Sequence, residues 1–258
     1  MLFNEIVELD RYPISDVDFS RQCKKELDKS GALILPDFIS QHAIEKMIAE
    51  GKEKKHLAYY SINDHNVYLK PHDGNYHENH PRNQTVQSSK GCITDDQISD
   101  KSPLRTLYDS DVLRDFLAKI LGEKQLYNYA DPLSSINLHY ADKGQELGWH
   151  FDESSFAVTL LLQSPDGGGQ FEYVENMRDA DAGEMNYDGV AKILSGCQQP
   201  KLLKVKPGTL ALFRGRNAIH RVTPTQGDKT RMLVVLAYNA QQNVSLSESA
   251  RMTFYGRL

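Results

Sequence analysis

The stretch GWHFDESSFAVTLLLQ, residues 148–163, sets a histidine and an aspartate two positions apart at the head of an apolar run. Side chains alternate across a strand, so in an extended segment His150 and Asp152 emerge on one face and Phe151 on the other. An imidazole nitrogen and a carboxylate oxygen presented together are two-thirds of the facial triad that holds non-haem Fe(II) and leaves coordination positions open. Alone the tripeptide is weak evidence, because the chain has nine histidines and an H-x-D arises easily by chance. A further donor stands far downstream, in KPGTLALFRGRNAIHRVTPTQGDKTRMLVVL. There His220 opens a short strand after a Pro207-Gly208 turn and an apolar strand, and Arg231 opens the next. A β-barrel is the expected means of bringing so distant a histidine to the first pair. The planar fork of Arg231 suits bidentate binding of a dicarboxylate's remote carboxylate deep in a pocket.

The order Y-x-x-x-G-x-x-L-x-x-H-x-D, G-G-x-F, P-G-x-L-x-L-F-x-G-x-x-x-x-H-R-V-T-P and then Arg resembles the Fe(II)- and 2-oxoglutarate-dependent oxygenase superfamily. More narrowly, WHFDESSFAVTLLLQ, GGGQFEYV, LFRGRNAIHRVTP and the closing FYGR resemble a bacterial group of radical halogenases and hydroxylases of free amino acids such as lysine. The match runs from about Tyr127 to the C-terminus, and covers the N-terminal part in outline only. The resemblance implies that His150, Asp152 and His220 are catalytic ligands of iron and that Arg231 holds the far carboxylate of 2-oxoglutarate. It also implies that O2 is consumed, that succinate is formed and that hydrogen is removed from an unactivated C–H bond. In the halogenases of this group a small residue replaces the carboxylate ligand and frees a position for chloride. Asp152 fills that position here, so the expected reaction is hydroxylation of a small polar substrate, a free amino acid or a derivative. The Tyr140-to-Asp152 spacing also resembles prolyl hydroxylases, which keeps a protein or peptide hydroxylase as the alternative. A radical halogenase and a non-catalytic metal-binding module are the more distant readings, since a fold does not fix an activity.

Several side chains near these motifs admit two roles. Tyr140 shares a strand face with Ile136 and Leu138, so core packing competes with a hydroxyl contact to the cosubstrate. Trp149 either packs beside the metal strand or meets substrate, and Glu153 is either a rim charge or a partner for a substrate amine. Arg82, in HPRNQ, lies where an arginine contacts substrate in the lysine-acting relatives. Arg214, Arg216 and Arg221 crowd His220, and at least two of them are expected to be solvated or structural. His65, His72, His77 and His80 lack the spacing of a closed zinc site and read as part of a polar loop. Gly167–Gly169 reads as a turn, with no Lys-Ser/Thr and helix behind it to cradle a phosphate.

The elements that must position these groups divide along the chain. VDFSRQCKKELDKSG, SQHAIEKMIAEGKEK and SPLRTLYDSDVLRDFLAKILG carry helical periodicity, with Asp18 or Ser20, Ser40 and Asp111 as expected caps and Gly31 and Gly122 as stops. ALILPDF is a short strand between the first two. Residues 71–91 have almost no aliphatic side chains and read as a long loop or lid. Beyond residue 126 come short β-branched and aromatic segments separated by turn signals, interrupted by an insertion with a short helix around Val190 to Leu194. The expected fold is mainly β with a helical layer: a double-stranded β-helix of the jelly-roll, cupin-like kind with N-terminal α-helices packed on the major sheet. One domain over 1–258 is expected, with 1–125 as helical support and lid and 126–258 as the β core.

At 258 residues, 40% hydrophobic, 25% charged and a net charge of −5, the chain is of ordinary globular composition. Its Lys and Arg form no stripe, so nucleic acid is not an expected partner. No run approaches the roughly 18 apolar residues of a membrane span, and the acidic start MLFNEIVELDRYP is unlike a signal peptide. A cytoplasmic enzyme with a small-molecule substrate is the expectation, with a homodimer left open. Cys23, Cys92 and Cys197 are too few and too scattered for a disulfide framework.

Overall fold

Side-chain oxygens set the helix starts in the computed structural model, which describes residues 1–258. Val17–Ser30 (α1) begins where Asp16 accepts the Phe19 N–H at 2.7 Å, and ends at Gly31, whose φ of 69° suits a residue without a Cβ. Gln41–Lys54 (α2) follows Ser40 as expected; Pro103–Tyr108 (α3) follows Ser102, and Asp111–Leu121 (α4) follows Ser110. The caps therefore fall one or two residues before the expected Asp18 and Asp111. Those two acids sit in the first turns instead, where their charge complements the helix N-termini.

Eleven strands form one curled sheet. In chain order they are Ala32–Leu35 (β1), Tyr59–Asn66 (β2), Thr85–Ile93 (β3), Ile136–Ala141 (β4), Leu147–His150 (β5), Ala157–Gln163 (β6), Phe171–Val174 (β7), Lys201–Leu203 (β8), Leu210–Phe213 (β9), Ile219–Val222 (β10) and Arg231–Leu236 (β11). Neighbours run β1-β9-β6-β11-β4-β3-β5-β10-β7-β8, with β2 on the free side of β3. The pairings are antiparallel. Strand β3 meets β5 only through the Ser88–Leu147 pair, the seam between the larger and the smaller half of the jelly roll.

Alternation gives the larger half two faces. Leu138, Leu160, Leu212 and Val234 turn toward the helices and join Leu27, Met47, Phe116 and Leu117 in a core cluster of 36 buried residues. Each such fully buried side chain contributes about 1.5–3 kcal/mol. The helical layer on the major sheet is thus the expected one. The neighbouring positions, among them His139, Arg231 and Leu233, face the interior instead.

Two strands besides the expected β1 lie in the part expected to be helical support and lid. Strand β2 precedes the segment 71–91 that read as loop and β3 takes its end from Thr85 onward, so the irregular segment is about 67–84. One face of β3 looks into a polar interior and β2 is an exposed edge, so neither carries the apolar alternation that marks a half-buried strand. The helix of the insertion, Tyr187–Leu194 (α5), packs Val190 and Ile193 on Trp149, Phe151 and Ile219, outside the smaller half. A last helix, Glu248–Tyr255 (α6), docks beside β2 and β3. All three cysteines are free, and no helix is long and apolar enough to cross a membrane.

Candidate metal centre

His150 ends β5, and His220 is the second residue of β10, directly opposite in register. Their ring centroids are 4.2 Å apart. Asp152 lies just past the paired part of β5. Its extended path is held by Phe151 N–H donating to the Val67 carbonyl at 2.9 Å and Asp152 N–H donating to the Gly215 carbonyl at 3.1 Å. The carboxylate turns back toward the rings: Oδ1 is 3.7 Å from His150 Nε2 and 3.5 Å from His220 Nε2. One donor atom from each of the three residues lies within 4.8 Å of the others, and no other His, Cys, Asp or Glu cluster of that kind is present.

The backbone fixes which ring nitrogen is free. His150 Nδ1 is 2.8 Å from the Gly148 carbonyl and His220 Nδ1 is 3.0 Å from the Ala218 carbonyl. A carbonyl only accepts, so each Nδ1 carries the hydrogen and each Nε2 keeps its lone pair for a metal. Burial, then the neighbouring His220, pulls the His150 pKa well below the usual imidazole range, which keeps that ring neutral. At His220 burial pulls downward too, but the charge and hydrogen bond of Asp152 outweigh it and the net shift is upward. Burial pushes the Asp152 carboxyl up, and the two histidines pull it further down, so it stays ionised. Its Oδ2 is buried without any hydrogen-bond partner. A buried anionic oxygen without a partner is costly, and a divalent cation among these donors removes that cost. Two imidazoles and one carboxylate, open on one side, suit non-haem Fe(II).

The walls are partly aromatic. Phe171 stacks on His220 at 5.4 Å and Phe213 meets it edge-on at 4.9 Å. Ser88 Oγ accepts the Gly148 N–H at 3.0 Å and lies 2.7 Å from His65 Nε2, tying β2 and β3 to the metal strand. Arg231 is 6% exposed, and burial lowers its pKa to about 10, so it remains charged. It lines a small cavity with Ser89, Lys90, His139, Val222 and Leu233. The sequence reading missed Ser88, Lys90 and His139, because β3 carried no recognisable strand pattern to say which residues point inward.

Two side chains that admitted two roles pack away from the metal face. Tyr140 points to the helix side of β4, is 0% exposed and donates its hydroxyl to the Gly51 carbonyl at 2.6 Å. Alternation turns its ring to the helix side, where its hydroxyl braces α2 on the sheet, although Tyr140 still contributes to the lining of the Arg231 cavity. Trp149 alternates out of the metal face as well, into the cluster under α5, with the Arg221 guanidinium 4.7 Å above its ring. Glu153 is exposed and pairs with Lys70 at 3.0 Å. Arg82 lies in the irregular segment with Nη1 buried and without a partner, close enough for its charge to act on the hydroxyls of Tyr68 and Tyr187. Tyr68 in turn stacks on Phe151, between the two metal-face residues. Arg214, Arg216 and Arg221 are paired with Asp28, Asp181 and Glu172. Of the four loop histidines, His65 is on β2, and His72, His77 and His80 stay in the irregular segment.

The family model described as Halogenase D matches residues 16–254. The chain has no match among curated protein sequences. Among solved structures it is similar to the carbocyclase SnoK of nogalamycin biosynthesis, described as non-heme and alpha ketoglutarate dependent (13% identity, TM-score 0.58, 92% of each chain covered). It is also similar to a 2OG-Fe(II) oxygenase family oxidoreductase from Burkholderia pseudomallei (14% identity, TM-score 0.55, 88% of this chain and 93% of that one). A prolyl-4-hydroxylase from Pseudomonas putida matches at 13% identity with a TM-score of 0.51, over 84% of this chain and 96% of that one.

Proposed function

The chain belongs to the Halogenase D family, and from that premise we propose that it is an Fe(II)- and 2-oxoglutarate-dependent dioxygenase that hydroxylates an unactivated C–H bond of a small polar substrate, a free amino acid or a derivative. The observation that carries this reading is the Asp152 carboxylate, whose Oδ1 stands 3.5 Å and 3.7 Å from the two histidine Nε2 atoms. When bound, iron with 2-oxoglutarate and O2 supplies the oxidising power, one oxygen atom going to the substrate and the other to succinate as CO2 leaves. Everything else is placement by this chain.

His150, Asp152 and His220 would hold the metal, the two rings locked in one tautomer by carbonyls of their own strands. Arg231 would bind the remote carboxylate of 2-oxoglutarate in its fork, a buried cation that no acidic side chain of the protein neutralises. Phe171 and Phe213 keep water from the inner side of His220. The family's name points to halogenation; against it, an anionic oxygen already fills the ligand position that chloride would need, and its attraction to a divalent cation holds it there. The unpartnered Nη1 of Arg82 suits a substrate carboxylate, and Glu153, next to Asp152 in the chain, suits an amine once Lys70 is displaced.

The test is to reconstitute the protein without oxygen with Fe(II) and 2-oxoglutarate, admit air, and screen single amino acids and short peptides for substrate-dependent succinate. A free amino acid that gains one oxygen atom is the expected product. A product in which chlorine replaces hydrogen, or turnover of peptides alone, overturns the reading.

A further inference from the structure

The interior pocket beside Arg231 is lined by a second, half-buried cation. Lys90 shares its lining with Arg231, Ser89 and His139. Its ammonium lies against the His139 ring, 3.2 Å from Nε2 and 3.4 Å from Nδ1, and burial lowers the pKa of both groups, so that ring is neutral. Neither Lys90 nor Arg231 forms an ion pair; Glu146, the acidic residue on the same lining, pairs with neither.

Position along β3 explains why the ammonium is there. Ser88, Lys90 and Cys92 share one face of the strand. Ser88 reaches the metal strand through Gly148, whereas Cys92 packs on Leu133 and Tyr255. Lys90 stands between, roughly 7 Å along the strand from Ser88. Two cations facing one small space are costly to desolvate unless an anion joins them. An arginine fork engages two carboxylate oxygens in plane, and an ammonium, as a point charge, reaches a lone pair that the fork leaves.

We propose that Lys90 is a second cationic contact for the remote carboxylate of 2-oxoglutarate, positioned by His139, and that the pair of cations selects a dicarboxylic over a monocarboxylic 2-oxo acid. This rests on the cosubstrate reading above. The competing role is structural, since the Lys90 ammonium also lies 5.7 Å from the Phe254 ring of α6.

The experiment is calorimetric titration of 2-oxoglutarate into Mn(II)-loaded, oxygen-free full-length protein: wild type, Lys90→Met, Lys90→Gln and Lys90→Arg. Loss of a hydrogen bond to a charged group predicts a Kd about 10–100-fold higher in the Met and Gln variants. The Arg variant, which keeps the charge, stays nearer wild type. Mn(II) affinity, read by EPR on the same samples, is expected to stay within about twofold throughout, because Lys90 touches no metal ligand. Wild-type 2-oxoglutarate affinity in both Met and Gln variants overturns the proposal, as does loss of Mn(II) in parallel with loss of 2-oxoglutarate. A wild type that binds Mn(II) but not 2-oxoglutarate overturns the cosubstrate reading itself, and this inference with it.

Discussion

Gly215 leaves room for the Asp152 carboxylate. A Cβ built at 215 falls 1.9 Å from Asp152 Oδ2, 2.6 Å from its Cγ and 2.8 Å from His220 Cε1. The same glycine accepts the Asp152 N–H through its carbonyl, so it fixes the backbone of one ligand while yielding the space its side chain needs. Gly215→Ala is therefore expected to displace the carboxylate and lower metal affinity by about 10–100-fold, the scale on which outer contacts of a metal site act. Overpacking adds about 1–3 kcal/mol of destabilisation. Metal titration and thermal unfolding measure the two effects; unchanged metal affinity would show that the carboxylate has another place to go.

Asp152→Gly removes the anionic donor and leaves two imidazoles. Substrate-dependent oxygen insertion is expected to fall at least about a hundredfold in kcat/KM, or about 2.7 kcal/mol of transition-state stabilisation. Run in chloride and in chloride-free buffer, the variant also tests the reason for preferring hydroxylation. If the carboxylate is what excludes halide, chlorinated product appears only in the variant and only with chloride. Hydroxylation at the wild-type rate would refute the assignment of Asp152 as a ligand.

That His150, Asp152 and His220 come together and that Arg231 turns inward was legible from residue types together with the family resemblance, because strand alternation fixes faces and the β-barrel expectation brought distant segments together. The major sheet was legible for the same reason: Val158, Leu160 and Leu162 alternate toward the helices. What failed to show was polar. Thr85–Ile93 forms a strand whose inward face carries Ser88 and Lys90 and whose other neighbours are an exposed edge, so no hydrophobic rhythm betrays it. Tyr140 and Trp149 were ambiguous at the level of type, and alternation settles both against the site once the faces are known. Gly215 stands in the F-x-G of the quoted motif, but its role was not legible there, since the requirement it meets is the absence of an atom beside a residue 63 positions away.

On the proposed cosubstrate role of Arg231, Arg231→Ala leaves the remote carboxylate of 2-oxoglutarate buried with its principal partner gone. Removing one member of a buried charge pair costs about 2–5 kcal/mol, so the KM for 2-oxoglutarate is expected to rise about 30-fold or more while affinity for Mn(II) is unchanged. Metal affinity is the control because Arg231 touches none of the three donors. A KM within twofold of wild type would assign the carboxylate seat to another residue.

Tyr140→Phe separates the two roles that its sequence position allowed. The hydroxyl donates to the Gly51 carbonyl at 2.6 Å inside the main core, on the helix side of the sheet. Its removal leaves a buried carbonyl without its donor and costs about 1–3 kcal/mol of stability, which for a chain of this size lowers Tm by roughly 2–4 °C per kcal/mol. The KM for 2-oxoglutarate should not move, since the lost hydroxyl is on the helix side of the sheet. The opposite result, intact stability with a KM raised tenfold, would mean that Tyr140 turns inward when the cosubstrate binds.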